Sequence, residues 1–287
     1  MRPSRYRSRF AVTLASVAAL IAGTGTAAVS TADTPKPNYV ALGASFSAGV
    51  GISPSATGAP AGCGRSEKNF PRLVAKAKGY DLTDMSCGGA QTRHMTESQT
   101  TGQPGQFTAL SESTDVVTLQ LGYNDGNVYS GAIADCSQSG SMSSPLAPCE
   151  VRTAGRYPAE ILLTGPKIAG VIDGIKARAP RARILVLAYP AVYPSQGNCP
   201  LQNPFSAEDT AFLNRLEVQL NDMLRTQALA KGVEFVDTYT PSVGHDSCKS
   251  QLTRWMEPYS NPVGAIRLHP NAKGHQHMAE AVLDALD

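Results

Sequence analysis

The chain has 287 residues, of which 42% are hydrophobic and 17% charged, so it is long enough to bury the core of one substantial domain or two small ones. Its formal net charge is only +2, and its basic residues are scattered along the sequence rather than gathered in a stripe. A chain of this kind lacks the cationic surface that binds a phosphate backbone, and we expect no nucleic-acid partner.

The N-terminus has the pattern of a secretory signal peptide. The basic stretch MRPSRYRSRF precedes an apolar run that gives way to small residues. The alternative is a membrane anchor, but Gly23 and Gly25 interrupt the run before it reaches the roughly 20 residues that cross a bilayer. The sequence therefore predicts a signal peptide over residues 1–32, a short leader over 33–38 and a secreted protein with no stable membrane span.

Apolar runs and helix-like segments alternate along residues 39–287. The predicted strands cover 39–42, 82–85, 116–121, 184–189 and 233–237, and each is almost continuously apolar, as strands buried on both faces are. The predicted helices cover 70–78, 106–113, 159–179 and 207–232, and a last helix begins near Asn271. This alternation predicts a single α/β domain whose five-stranded parallel sheet carries helices on both faces.

Six cysteines in an exported protein predict disulfide bonds, because compartments outside the cytosol are oxidising. Many pairings are possible in principle, and pairing in sequence order is the simplest because each bond then closes a local loop. The pairs are Cys63 with Cys87, Cys136 with Cys149, and Cys199 with Cys248. The second pair would tie a polar loop over 134–150. The alternative, a metal site, favours closely spaced C-x₂-C pairs, and the sequence has none.

Reactive residue types follow the ends of several predicted strands. Ser45 follows the first strand in GASFS, and Gly89 follows the second in SCGGA. Asn124 follows the third strand in LGYND, and His269 precedes the last helix in LHP. A serine in a glycine-rich turn is by itself usually structural. In open α/β sheets, however, ligands bind outside the carboxyl ends of the strands, so the four positions together indicate one site.

These residue types fit nucleophilic attack on an ester. A serine hydroxyl needs a base within hydrogen-bond reach, and His269 is the histidine placed to serve. The oxyanion that forms needs fixed donors, which the main-chain N–H groups of Ser45 and Gly89 and the side-chain amide of Asn124 supply. A glycine at 89 suits this role because the missing Cβ lets the backbone approach the substrate. No metal-ligand constellation emerges, so we predict a reaction without metal or other cofactor.

The motifs resemble those of the SGNH, or GDSL-type, family of serine esterases and lipases, particularly its secreted actinobacterial members with three disulfides. The resemblance covers nearly all of the predicted mature region, and the four signature residues of the family fall on Ser45, Gly89, Asn124 and His269. It implies a flavodoxin-like three-layer α/β/α sandwich, hydrolysis of carboxylic esters of lipids, and cysteines paired in sequence order.

Two positions depart from the family pattern. Ala44 stands where the family has the aspartate of G-D-S, which steadies the turn around the nucleophile, so we expect a looser turn but a retained serine–histidine pair. Ile266 stands three residues before the histidine, where many members carry an aspartate. Some secreted members use a main-chain carbonyl instead, so we expect one near Ile266 or Arg267 to hold Nδ1–H of His269. The rival is a carboxylate from a neighbouring loop, either Asp237 or Asp246.

Other functions stay open from the sequence alone. The same serine could serve an acyltransferase or a polysaccharide deacetylase, and the chain could be a binding protein whose site has decayed at Ala44. The presence of all four signature residues favours an enzyme, which we expect to act as a monomer on a lipid or other acyl ester. Asp125 is expected to support the turn beside Asn124. Apolar and aromatic residues after the third and fourth strands either line an acyl groove or pack in the core: Tyr123, Val128, Tyr129, Tyr189, Val192 and Tyr193.

Overall fold

A computed structural model describes residues 35–137 and 148–287 of the chain. The predicted signal peptide over 1–32 lies outside the described residues. Five strands are present in the described part, close to the five that the sequence predicts. They are β1 (Asn38–Gly43), β2 (Asp81–Asp84), β3 (Thr114–Gln120), β4 (Arg183–Leu187) and β5 (Glu234–Val236). All neighbouring strands are parallel, in the order β2-β1-β3-β4-β5, which is the flavodoxin-like order.

The longer helices match the prediction, and several short ones were missed. The described α-helices are α1 (Ser45–Ala48), α2 (Phe70–Lys78), α3 (Val128–Ser137), α4 (Cys149–Thr153), α5 (Arg156–Arg178), α6 (Ala207–Ala230) and α7 (Ala272–Leu286). Side-chain caps begin several of them: Asn69 accepts from the N–H of Arg72 at α2, and Asn271 accepts from the N–H of Lys273 at α7. Gly79 ends α2 in the left-handed conformation that glycine adopts easily.

Two expectations about local structure were wrong. The helix predicted over 106–113 is only a 3₁₀ turn at Gln106–Ala109, because Leu110 is already extended where the chain leaves for β3. The polar loop predicted over 134–150 is helical at both ends, since α3 continues to Ser137 and α4 begins at Cys149. The residues between these ends, apart from Pro148, lie outside the described part of the chain.

Alternate residues of the strands serve two cores, which confirms the predicted three-layer sandwich. In β1, Tyr39 and Ala41 point to one face, where they share a core with residues of α2 and α7. Val40 and Leu42 point to the other face, where they share a larger core with residues of α5 and α6. None of the described helices combines the length and the apolar character needed to cross a bilayer.

The strand register aligns the carboxyl ends of the central strands β1 and β3. Gly43 at the end of β1 lies opposite Gln120 at the end of β3. The N–H of Cys87 donates to the carbonyl of Gly43 at 3.1 Å, which continues the pairing of β1 with the chain beyond β2. The three segments that follow these strands therefore leave the sheet at the same edge.

The three predicted disulfides are confirmed. Cys63 pairs with Cys87, Cys136 with Cys149, and Cys199 with Cys248, with Cα–Cα distances of 4.1, 4.9 and 5.5 Å. The first bond joins the chain after α1 to the segment that follows β2. The one cluster in the described residues with metal-ligand spacing consists of Cys136, Cys149 and Asp209, and its two sulfurs are already bonded to each other.

Candidate active site

The turn between β1 and α1 places Ser45 at the carboxyl edge of the sheet. A Cβ at Gly43 would lie 2.8 Å from the main-chain oxygen of Gln120, so the tight exit from the strand requires glycine. The N–H of Ala44 donates to the same oxygen at 3.2 Å. Ser45 is then the first residue of a one-turn helix, and its side chain is buried apart from its exposure to the groove described below.

Ser45 and His269 are in direct contact. Nε2 of His269 lies 2.8 Å from Oγ of Ser45, and Nδ1 lies 2.8 Å from the main-chain oxygen of Arg267. A carbonyl oxygen can only accept a hydrogen bond, so Nδ1 carries the proton. Nε2 is consequently the unprotonated nitrogen, and it accepts the hydrogen bond from the serine hydroxyl. This is the tautomer that a general base requires.

The contact between Arg267 and His269 depends on an unusual backbone conformation at Leu268. This residue is fully buried and has φ of 57°, a left-handed value that costs a leucine on the order of 1 kcal/mol or more. The turn allows the carbonyl of Arg267 to face the ring two residues later. Two main-chain hydrogen bonds with Glu257 hold this turn. The N–H of Leu268 donates to the carbonyl of Glu257 at 3.0 Å, and the N–H of Glu257 donates to the carbonyl of His269 at 2.9 Å.

Tyr129 also holds this turn. Its hydroxyl donates to the carbonyl of Leu268 and lies 3.4 Å from Nδ1 of His269, while its ring meets the imidazole edge to face at 5.3 Å between centroids. Sequence reasoning named Tyr129 only as a groove or core residue. No local pattern links it to the histidine, because the two lie 140 positions apart in the chain.

Neither rival carboxylate contacts His269. Asp237 accepts from the N–H groups of Tyr239 and Thr240 at 2.9 and 3.0 Å. Asp246 accepts from the N–H of Cys248 at 2.9 Å. Both carboxylates are thus engaged in their own loops, and within the described residues the polar contacts of Nδ1 are the Arg267 carbonyl and the Tyr129 hydroxyl.

Burial sets the protonation state of His269. The ring is almost fully enclosed, and desolvation lowers its pKa from 6.5 to about 4, although the hydrogen bond to Arg267 acts in the opposite direction. The imidazole is therefore neutral at pH 7 and available as a base. Nearby His275 is also buried, and burial lowers its pKa to about 3. Nδ1 of His275 accepts from the N–H of Phe70 at 3.0 Å, so this histidine of α7 has the structural role of binding the first residue of α2.

The segment after β2 presents the N–H of Gly89. The carbonyl of Gly88 accepts from Nε2 of Gln99 at 2.6 Å, and the N–H of Gly88 donates to the carbonyl of Cys63 at 2.9 Å. In a trans peptide the C=O and the following N–H point in opposite directions, so Gln99 fixes the N–H of Gly89 away from itself. The described residues offer no acceptor to the N–H of either Gly89 or Ser45.

Asn124 is fixed beside this segment. Its amide nitrogen donates to the carbonyl of Ala90 at 3.0 Å, which leaves one N–H of the amide for a ligand. Nε2 of Gln91 donates to the carbonyl of Asn124 at 2.9 Å. The carboxylate of Asp125 accepts from the N–H and the hydroxyl of Thr92, so it ties the two loops together. This is the supporting position expected of Asp125.

All four predicted site residues open on one groove of about 620 Å³. Ser45, Gly89, Asn124 and His269 share its lining with Val50, Ala61, Gly62, Cys63, Gly64, Gly88, Tyr129, Ser130, Ile133, Ala134, Tyr259, Ile266 and Arg267. Of the six residues considered for an acyl groove, Tyr129 lines it, and the other five are buried core residues: Tyr123, Val128, Tyr189, Val192 and Tyr193.

Comparisons of sequence and of structure both show that this chain is similar to known lipases and acylhydrolases. The model of the GDSL-like Lipase/Acylhydrolase family matches residues 41–277, a range that contains all four site residues. Lipase 2 of Streptomyces coelicolor is 39% identical over 259 residues, which cover 88% of this chain and 87% of that protein. The structure of an extracellular lipase from Streptomyces rimosus has a TM-score of 0.74 at 28% identity, covering 87% of this chain and 99% of that one. A phospholipase A1 from Streptomyces albidoflavus has a TM-score of 0.73 at 25% identity, with the same coverage of both chains.

Proposed function

Because the chain belongs to the GDSL-like lipase/acylhydrolase family and is therefore a carboxylic ester hydrolase, we propose that it cleaves acyl esters of lipids through an acyl-enzyme on Ser45. The observation that carries this proposal is the 2.8 Å contact between Ser45 Oγ and an imidazole nitrogen whose partner nitrogen is fixed by the Arg267 carbonyl. A nucleophile, a base in the correct tautomer and an orienting group are the parts that serine catalysis requires.

The reaction proceeds in two halves. In the first, Oγ of Ser45 attacks the ester carbonyl while Nε2 of His269 takes the hydroxyl proton. The tetrahedral oxyanion faces the N–H groups of Ser45 and Gly89 and the free amide hydrogen of Asn124. The intermediate collapses to the acyl-enzyme as His269 returns the proton to the departing alcohol. In the second half, His269 takes a proton from water as its oxygen attacks the acyl-enzyme. The second tetrahedral intermediate then collapses: the bond between the acyl carbon and Oγ breaks, His269 returns the proton to Oγ, and the carboxylic acid leaves.

A lipid substrate is supported by the character of the groove and by the relatives. Val50, Ile133, Ala134 and Ile266 provide apolar lining beside the serine, as an acyl chain requires. The related proteins are described as lipases and as a phospholipase A1. Secretion is supported by the signal-peptide pattern of residues 1–32, by three disulfides and by the extracellular lipase among the relatives.

The test uses the mature chain, residues 33–287, on p-nitrophenyl esters of increasing acyl length. We expect Ser45→Ala to lower kcat by about 10⁴-fold or more, and Asn124→Ala by about 10²–10³-fold. Ser113→Ala is the matched control, because Ser113 is an exposed serine that does not line the groove, and it should keep its activity. A fluorophosphonate should add to Ser45 in the wild-type protein, as located by peptide mass. Hydrolysis that survives in Ser45→Ala, or a label on another residue, would refute the proposal.

A further inference from the structure

One of the described residues that line the groove carries a charge at neutral pH. Among the described residues that line it, only Arg267 carries a permanent charge, and the remaining lining is apolar or uncharged. Arg267 is also the residue whose main-chain oxygen holds His269. The residue that carries this charge therefore belongs to the segment that orients the base, and it lines the same groove as Ser45.

The guanidinium of Arg267 has no carboxylate partner in the described chain. Ion pairs with carboxylates are formed by other arginines: Arg72, Arg183, Arg215, Arg225 and Arg254. The only carboxylate of the segment 255–270 is Glu257, and it is already engaged. It accepts from Arg254 at 2.8 Å, from the N–H of Val263 at 2.9 Å and from the amide of Asn271 at 3.0 Å. The donors of Arg267 are therefore available to a ligand.

The guanidinium of Arg267 stacks on the ring of Tyr259. Its carbon lies 4.5 Å from the centroid of the Tyr259 ring, and Tyr259 itself lines the groove. The N–H of Tyr259 donates to the side chain of Asn203 at 2.9 Å, and its ring packs edge to face on Phe205. The loop that carries Asn203 and Phe205 is fixed by the Cys199–Cys248 disulfide. Arg267 itself is exposed, so its guanidinium is open to a ligand while it stacks on this ring.

We propose that Arg267, stacked on Tyr259, binds the phosphodiester of a glycerophospholipid whose acyl ester lies at Ser45. This inference rests on the proposed function and specifies its substrate class. A planar guanidinium binds two phosphate oxygens through parallel hydrogen bonds, a geometry that a neutral glyceride cannot use. In a glycerophospholipid the phosphate is only a few covalent bonds from the glycerol esters, so one molecule can reach both Arg267 and Ser45.

The experiment compares two substrates with the same acyl chains in the same neutral detergent micelles, phosphatidylcholine and diacylglycerol. Phosphatidylcholine has no net charge, so general attraction between protein and micelle is avoided. We expect Arg267→Gln to lower the ratio of kcat/KM for phosphatidylcholine to that for diacylglycerol by about 10- to 100-fold. Taking the ratio removes any effect that the substitution transmits to His269, because such an effect changes both substrates equally. Arg267→Lys should lose part of the ratio, since ammonium keeps the charge without the planar fork.

Arg178→Gln is the matched control. Its guanidinium lies 4.6 Å from the Phe107 ring, so the variant also removes one positive charge and one cation–π contact, but outside the groove. The ratio should stay at the wild-type value in this variant. An unchanged ratio in Arg267→Gln, or an equal fall in Arg178→Gln, would overturn the proposal.

Two further arms separate the alternatives. Inorganic phosphate is tested as an inhibitor of p-nitrophenyl ester hydrolysis at constant ionic strength. Arg267-dependent inhibition at the low millimolar level, together with a substrate ratio that does not depend on Arg267, would assign the site to free phosphate and overturn the lipid assignment. A ratio that depends on Arg267 supports the lipid assignment. Ser45→Ala is assayed on diacylglycerol in parallel. If diacylglycerol hydrolysis is lost with Ser45 while the ratio is insensitive to Arg267, the catalytic proposal stands and the phosphate subsite fails.

Discussion

The pH dependence of ester hydrolysis tests the environment of His269 directly. Burial lowers the pKa of this histidine to about 4, and within the described residues no carboxylate contacts the ring to raise it. The imidazole must be neutral to accept the proton of Ser45. At pH 5 a group of pKa 4 is about 90% neutral, whereas an ordinary imidazole of pKa 6.5 is only about 3% neutral, a difference of about 30-fold in active enzyme.

The assay measures kcat/KM for a soluble, uncharged short-chain ester from about pH 4 to about pH 9, because this quantity reports ionisations of the free enzyme. We expect the acidic limb to fall below about pH 5, with a midpoint near 4. An acidic limb with its midpoint near 6.5 in folded protein would refute the reasoning, because it would require a solvated ring or one supported by a carboxylate.

Acid unfolding must be separated from titration of the base. The folded-state pKa values of His269 and His275 lie below the unfolded value of 6.5, so unfolding takes up protons and the folded state loses stability as the pH falls below 6.5 toward 4 and 3. At pH 5 each histidine lowers the free energy of unfolding by on the order of 2 kcal/mol relative to its value at neutral pH. Near-UV circular dichroism at each pH, and return to pH 7 before a second assay, identify the range in which the fold is intact.

Three substitutions test other parts of the site. Tyr129→Phe leaves the carbonyl of Leu268 without its hydroxyl donor, so we expect kcat to fall about tenfold with little change in KM; a kcat equal to wild type would contradict this. Ala44→Asp places a carboxylate at a position that is 1% exposed in the main core, and should lower the free energy of unfolding by about 1–3 kcal/mol in urea titrations without raising kcat. Replacing Cys63 and Cys87 by serine removes a bond with a sequence separation of 24, and should cost about 3 kcal/mol in the same titrations. An unchanged midpoint in either stability test would contradict the packing described for that residue.

The sheet could be predicted from sequence because buried parallel strands are marked by short, continuous apolar runs. The elements that were missed lack such a signal. The helix α1 is a single turn that begins at Ser45 itself, and α3 is built from small residues with little difference between its faces. The predicted helix at 106–113 was wrong because this segment forms only a 3₁₀ turn. The turn buries Phe107, and the chain is already extended at Leu110 before β3.

That the candidate residues come together was also predictable in part, since Ser45, Gly89 and Asn124 follow strands that end at one edge of the sheet. The site itself stays a prediction. Its fine geometry was not predictable from the sequence. Leu268 has a positive φ, and no sequence rule predicts that conformation for a leucine. Gln99 holds Gly88 from eleven residues further along the chain, and Tyr129 of α3 holds Leu268 from 139 residues away. Such contacts follow from the register of the whole fold rather than from a local motif.

At both departures from the family pattern, uncharged amide and main-chain groups make the hydrogen bonds that hold the site. At the serine turn, the amide of Gln106 holds both sides of Gly43, accepting from its N–H at 2.9 Å and donating to its carbonyl at 3.0 Å. At the base, the carbonyl of Arg267 takes the position of an acid. A carbonyl stabilises the imidazolium less than a carboxylate does, which disfavours proton transfer from the serine. Within the described residues no carboxylate contacts His269, and among those that line the groove Arg267 is the one with a permanent charge.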